Sequence, residues 1–275
     1  MARTHAHCTY CNREYPVIEM TYYPAGVRGR RAAYQCRRCA SFVESHYSSN
    51  NETVGKVKSE PWTMSVELET SYSTSTGRAE LMSNRFLPTY DCTVDIEYLS
   101  PIYNGFGGFV KYAKTIERLC NEGDLLIDYR CGTHCHIGYG SEITQEYLDL
   151  LFRYRGLILR GAENYMSAHV EEMTAFFGRP FSRDWANRSD RTNDRYQWVN
   201  FLASTGKTIE FRLNFFQNAA QYSRLIMTEK KMVATMMKHF PKALLAADVT
   251  AAERAAAAEK TGRYIERIIR KALSE

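Results

Sequence analysis

No apolar run in this 275-residue sequence is long enough to cross a bilayer, so a membrane-spanning role is not expected. The opening Met-Ala-Arg-Thr-His-Ala-His-Cys lacks the apolar stretch of a secretory signal, which predicts a cytoplasmic protein with reduced thiols. No segment repeats at a fixed period, which sets solenoids and propellers aside. A sustained polybasic stretch is also missing, and with it the strongest sequence mark of nucleic-acid binding. Gly105, Gly107 and Gly108 lack the strand, loop and helix context of a dinucleotide fingerprint and read as a flexible bend.

The composition that remains, 44% hydrophobic and 24% charged, is that of a globular protein. The length suits one good core plus a small module, or two domains. The net charge of +5 is uneven: residues 1–58 hold nine Lys/Arg against four Asp/Glu, and the rest balances. A basic leading segment on a neutral body hints at an anionic partner, although Arg28, Arg30, Arg31, Arg37 and Arg38 read more simply as a solvated loop and knuckle.

The cysteines are organised at one end only. Cys8-x-x-Cys11 and Cys36-x-x-Cys39 have the spacing of a four-thiolate zinc ribbon, each pair supplying two thiolates to a tetrahedral ion. Disulfides or free thiols are the alternatives, disfavoured in a reducing compartment. Metal binding would let so short a segment fold without a core. Cys92, Cys120, Cys131 and Cys135 lack paired spacing and read as small core residues.

Three later segments share one pattern. Cys131-Gly-Thr-His134-Cys-His136-Ile-Gly places two imidazoles two residues apart, on one face of an extended strand, with Thr133, Cys135 and Ile137 on the other. Ser65-Val-Glu67-Leu-Glu69 does the same with two carboxylates, and Thr208-Ile-Glu210-Phe-Arg212-Leu with a carboxylate and a guanidinium. Taken singly, each is more often the solvent face of an antiparallel strand. Their joint appearance is the signal, since three such strands supply the ligands and charges of a metal–phosphate site.

That joint pattern, with Asp91-Cys92-Thr93, Glu97-Tyr-Leu-Ser-Pro101 and Trp198-Val-Asn200, resembles the amidoligase family, carboxylate–amine ligases related in fold to glutamine synthetase. The resemblance covers roughly residues 62 to 216 and departs at Asp91-Cys92-Thr93, where the family usually has Asp-Gly-Ser. It implies an α+β fold, with a curved and mostly antiparallel sheet backed by helices. It also implies ATP-dependent amide formation through an acyl phosphate, joining a carboxylate and an amine on an amino-acid, peptide or protein substrate. Divalent Mg²⁺ or Mn²⁺ would cancel the repulsion between phosphate oxygens and the attacking carboxylate. Carried over by residue, Glu67, Glu69, His134 and Glu210 would hold metal, with Glu97 a fifth candidate. His136 would lie near the ATP phosphates, and Arg212 would meet the transferring phosphoryl group. Glu67, His134 and Arg212 are thus the catalytic candidates. Asn200, Arg195 and Arg160 are candidates for nucleotide or substrate contacts.

The expected organisation is a zinc ribbon over 1–45, a polar linker over 46–60, a catalytic domain over 61–245 and a C-terminal helix over 246–275. Strands are expected at 62–70, 92–99, 125–139, 197–202 and 208–216, and helices at 109–121, 144–165, 219–240 and 251–273. Residues 178–195 read as an exposed loop. Two other functions remain open. One is a zinc-ribbon nucleic-acid-binding protein with a non-catalytic C-terminal domain. The other is a metal-dependent hydrolase, for which Arg212 would have no need.

Overall fold

The computed structural model describes residues 4–8, 13–23, 33–37, 53–54, 61–89, 94, 96–186, 197–202 and 207–275. Expectations for Cys11, Cys39, Asp91, Cys92, Thr93 and Arg195, and for the linker apart from 53–54, fall outside them.

The architecture is α+β, centred on an eight-stranded sheet. Its middle is a run of antiparallel pairings: Val199–Asn200, Thr208–Phe211, Thr133–Tyr139, then Trp62–Thr70. The last three are called here the Glu-Arg strand, the His strand and the Glu strand. Beyond the Glu strand, Ile96–Leu99 and Ile102–Asn104 share its outer edge, with Leu87–Thr89 outside the first. Thr53–Val54 runs parallel beside Ile102–Asn104, so part of the expected linker is a strand of the main sheet.

The alternation read from the sequence decides which face is core. Met64, Val66 and Leu68 of the Glu strand, Cys135 and Ile137 of the His strand, and Ile209 and Phe211 of the Glu-Arg strand are all buried on the back. Each fully buried aliphatic side chain there contributes about 1.5–3 kcal/mol relative to exposure. Where two strands share one edge of the Glu strand, Pro101 has no N–H to offer the ladder. Just before it, Ser100 pairs with Val66 on both sides: its N–H donates to the Val66 carbonyl at 2.9 Å and its hydroxyl accepts from Val66 N–H at 2.9 Å.

Helix Ala219–His239 packs on the back of the His strand, with helix Gly107–Asn121 beside it. Its methionines are largely core: Met232 and Met236 are fully buried, while Met227 is exposed. Helix Ala251–Ser274 is no loose tail. It packs on that long helix and on Gln145–Ile158 and Arg160–Ala168, burying Ala258, Ile265 and Ile269. Its start is fixed by a capping box, in which the Thr250 hydroxyl accepts from Glu253 N–H and the Glu253 carboxylate accepts from Thr250 N–H.

Four expectations are corrected. The single strand over 125–139 is two, because Asp128 turns the chain: its carboxylate accepts from Arg130 N–H and its carbonyl from Cys131 N–H, each at 2.9 Å. Leu125–Leu126 then pairs with Tyr72–Ser73 as a separate ribbon. The helix over 144–165 bends at Leu159, between Gln145–Ile158 and Arg160–Ala168. Gly107 and Gly108 are the first turn of a helix rather than a flexible bend. Within the loop expected over 178–195, Arg183–Ala186 is a helical turn.

The N-terminal residues form two antiparallel hairpins, His5–His7 with Glu14–Pro16 and Met20–Tyr23 with Ala33–Cys36. A 3-10 turn at Val17–Glu19 joins the two hairpins. Cys8 and Cys36 are buried together with no disulfide between them, and Cys36 N–H points at the Cys8 sulfur at 3.3 Å. Met82, from helix Ser75–Ser83, packs against them.

Gly262 lets the last helix approach the bend closely. A Cβ there would stand 2.5 Å from the Leu157 carbonyl oxygen and 3.2 Å from that of Ile158. Gly262→Val should therefore destabilise the fold by about 1–3 kcal/mol, read as a fall in the denaturation midpoint. An unchanged midpoint would mean that the helices separate freely.

Candidate active site

Strand pairing builds the site. His134 stands directly opposite Glu67, and His136 directly opposite Glu210. Because the side-chain period is two, all four share the front face, together with Glu69 and Arg212. His134 Nδ1 lies 3.1 Å from Glu67 Oε2 and 3.8 Å from Glu210 Oε1, and its Nε2 lies 3.8 Å from Glu69 Oε1. His136 Nε2 lies 3.2 Å from Glu67 Oε1 and 4.0 Å from Glu210 Oε1. Three carboxylates and two imidazoles thus meet on one patch of sheet.

The patch is largely removed from water. His134, His136 and Glu210 are 7%, 5% and 3% exposed, whereas the Glu67 side chain keeps 22% of its surface, so solvent reaches the cluster over Glu67. Burial pushes the Glu67 carboxyl up, but hydrogen bonds and charge from His134 and His136 outweigh it and leave the pKa far below the usual carboxylate range. Burial acts against charge on His136, yet the Glu67 contacts, with Glu210 behind them, raise its pKa.

Each group has a partner that orients it. Asn200 Nδ2 donates to Glu210 Oε2 at 2.7 Å, and Arg212 donates to Glu210 Oε1. Thr208 Oγ1 lies 3.4 Å from His136 Nδ1, which leaves Nε2 facing the carboxylates. That Nε2 is buried, and its 3.2 Å approach to Glu67 Oε1 is its nearest carboxylate contact among the described residues. One donor atom each from Glu67, His136 and Glu210 lie within 4.8 Å of one another, a spacing that fits a metal ion. An oxygen-rich set with one imidazole suits Mg²⁺ or Mn²⁺.

Glu97 faces Glu69 across the next pairing, at the margin of the cluster. Gly132 N–H donates to the Glu69 carboxylate. A Cβ at Gly132 would stand 2.7 Å from His134 Nε2 and 3.2 Å from Glu69 Oε2, so only glycine leaves room for this corner. Arg160 is exposed at the first residue of its helix, and no hydrogen bond or ion pair joins it to the cluster among the described residues. Arg195 lies outside them. Sequence reasoning missed Gly132 and Thr208 as parts of the site. The Gly-Thr-His run marked the first weakly; nothing local marked the second.

In metal-free protein the pairing has a definite pH signature. Glu67, with its folded-state pKa below 4.5, contributes stability above pH 4.5 that is lost as pH falls through the lowered value. His136, raised above 6.5, contributes stability below pH 6.5 that is lost as pH rises through the raised value. Glu67→Gln should therefore lower the melting temperature of chelator-treated protein most between pH 4.5 and 6.5. A shift of equal size at all pH values, or one largest at alkaline pH, would contradict the pairing.

No curated protein and no solved structure matches the chain. One family model does, over residues 18–156, taking in Glu67, Glu69, Glu97, His134 and His136 and stopping before Glu210 and Arg212. The two later residues reach the same cluster through strand pairing. That match spans half of the sequence, and the chain belongs to the family described as "Putative amidoligase enzyme".

Proposed function

We propose that the protein is an ATP-dependent carboxylate–amine ligase working through an acyl phosphate, on an amino-acid, peptide or protein substrate. The observation that carries this reading is the convergence of Glu67, Glu69, His134, His136 and Glu210 on one buried patch with Arg212 at its edge. In a hydrolase Arg212 would have no assigned work; in phosphoryl transfer it does.

Glu67, Glu210 and His136 would hold a divalent ion, with His134 and Glu69 adjoining. When bound, Mg²⁺ or Mn²⁺ supplies the positive charge that lets a carboxylate approach phosphate oxygens. The rest falls to the chain itself. Asn200 and Arg212 fix the Glu210 carboxylate from two sides. Thr208 fixes the His136 ring. The Arg212 guanidinium, largely buried beside Glu210, offers its remaining N–H groups to a phosphoryl group as charge develops on it. The substrate carboxylate would attack the γ-phosphorus as ADP leaves; the amine would then attack the acyl carbon, phosphate would leave, and the amine would give up its proton to solvent.

Phosphate release measured over a panel of acids and amines, with Mg²⁺ or Mn²⁺, tests the reading. Release should require ATP and both substrates together. Turnover without ATP would assign the site to a hydrolase instead. Within that assay Arg212→Lys keeps the charge but removes the planar fork. It should lower kcat by roughly 10² while leaving the KM for ATP little changed. A normal kcat would make Arg212 merely the counter-ion of Glu210.

We also propose that Cys8, Cys11, Cys36 and Cys39 bind one structural zinc. The support is the paired spacing, together with the buried Cys8 and Cys36 and the N–H directed at the Cys8 sulfur. Metal analysis should give close to one zinc per chain, and Cys36→Ser should lose it and open the N-terminal hairpins. Full zinc retention in that variant would end the assignment.

A further inference from the structure

Behind the His strand the core is not uniformly apolar. Tyr222, Ile226, Glu229, Val233 and Met236 form one buried stripe of helix Ala219–His239. Glu229, only 2% exposed, stands where the helical period calls for an aliphatic residue. Burial pushes its carboxyl well above the usual carboxylate range, and contacts from Asn214 and Cys135 only partly offset this. Neither of its oxygens makes an aligned hydrogen bond among the described residues; nor does either polar atom of Asn214, Thr133 Oγ1 or the Tyr112 hydroxyl. A methionine or leucine at 229 would avoid the cost of burying such groups. Packing alone therefore does not account for an acid here.

Its neighbours sit on the backbone that carries the front-face groups. Asn214 follows Arg212 by two residues, and its carbonyl accepts from Thr133 N–H at 2.9 Å. Thr133 adjoins His134, and the Tyr222 hydroxyl donates to its carbonyl at 3.5 Å. Cys135 lies between the two imidazoles and faces backward, toward Glu229. Glu229 thus lies beside the Asn214 amide and the Cys135 thiol, and a carboxyl in its protonated form can both donate and accept there.

We propose that Glu229 is a positioning residue for the active site. Lodged behind Asn214 and Cys135, it holds the Glu210–Arg212 segment against the strand that carries His134 and His136. The front-face geometry is thus set in part by a side chain on the far side of the sheet. Of the three readouts below, only turnover rests on the ligase reading.

The test compares Glu229→Gln, which keeps a neutral donor and acceptor, with Glu229→Met, which keeps size and removes both. Each is made in the full chain. Mn²⁺ affinity is read by titration, amide exchange at residues 208–214 and 133–136 by mass spectrometry, and kcat by phosphate release. Glu229→Met should keep or raise the melting temperature, weaken Mn²⁺ binding by about 10–100-fold and speed exchange in both segments. Its kcat should fall with little change in KM. Glu229→Gln should restore all three. Asn214→Ala, which removes the polar neighbour of Glu229, should behave like Glu229→Met even where the methionine folds poorly. Wild-type metal affinity and exchange in Glu229→Met would overturn the proposal, as would a glutamine variant as impaired as the methionine one. A wild-type protein that turns over no ATP would sink the ligase reading while leaving exchange, which needs neither metal nor substrate, to decide the role of Glu229.

Discussion

Crowding of like charge is the constraint around which this protein is arranged. Glu67, Glu69 and Glu210 are brought within reach of the same His134 ring, mostly out of water. In that setting carboxylates repel one another far more strongly than in solution. His136 and Arg212 supply part of the counter-charge. The remainder of the fold keeps these groups from relaxing apart. Register is the main device: a one-residue slip of the His strand would turn both imidazoles into the core and bring Thr133 and Cys135 to the front.

The back of the sheet explains why no slip occurs. Cys135, Ile137, Ile209 and Phe211 are fully buried there, so the wrong face would have to be solvated to change register. The Ser100 hydroxyl does similar work on the far edge, accepting the Val66 N–H where two short strands meet on one long one. Precision on the front is thus drawn from hydrophobic burial behind it, and Glu229 is the point where that backing turns polar.

Faces were legible in the sequence; neighbours were less so. Glu67-x-Glu69, His134-x-His136 and Glu210-x-Arg212 could be assigned to one face each, because a strand has period two and the intervening residues are apolar or small. Which strand lies beside which is a long-range matter, and the spacing is silent on it. Hence Asn200, read as a possible nucleotide contact, stands against the Glu210 carboxylate. Thr208 and Gly132 acquired meaning only once His136 and Glu69 were placed. The turn at Asp128 was missed because an apolar stretch on either side imitated one continuous strand. Glu229 sat unremarked within the helix expected over 219–240, since nothing local sets one acid of a helix apart from another.

The placement of the His strand has a consequence for how the molecule comes into being. It is the central partner, pairing with the Glu strand on one edge and the Glu-Arg strand on the other. During synthesis the first pairing can form early, bringing Glu67 and Glu69 to the imidazoles. The second must wait until the residues after 207 and the helix behind them have been made, across a long chain closure of the kind that slows folding. A nascent chain therefore exposes one edge of its His strand for much of its synthesis, and the same late closure that completes the charge set also seals that edge against pairing with another chain.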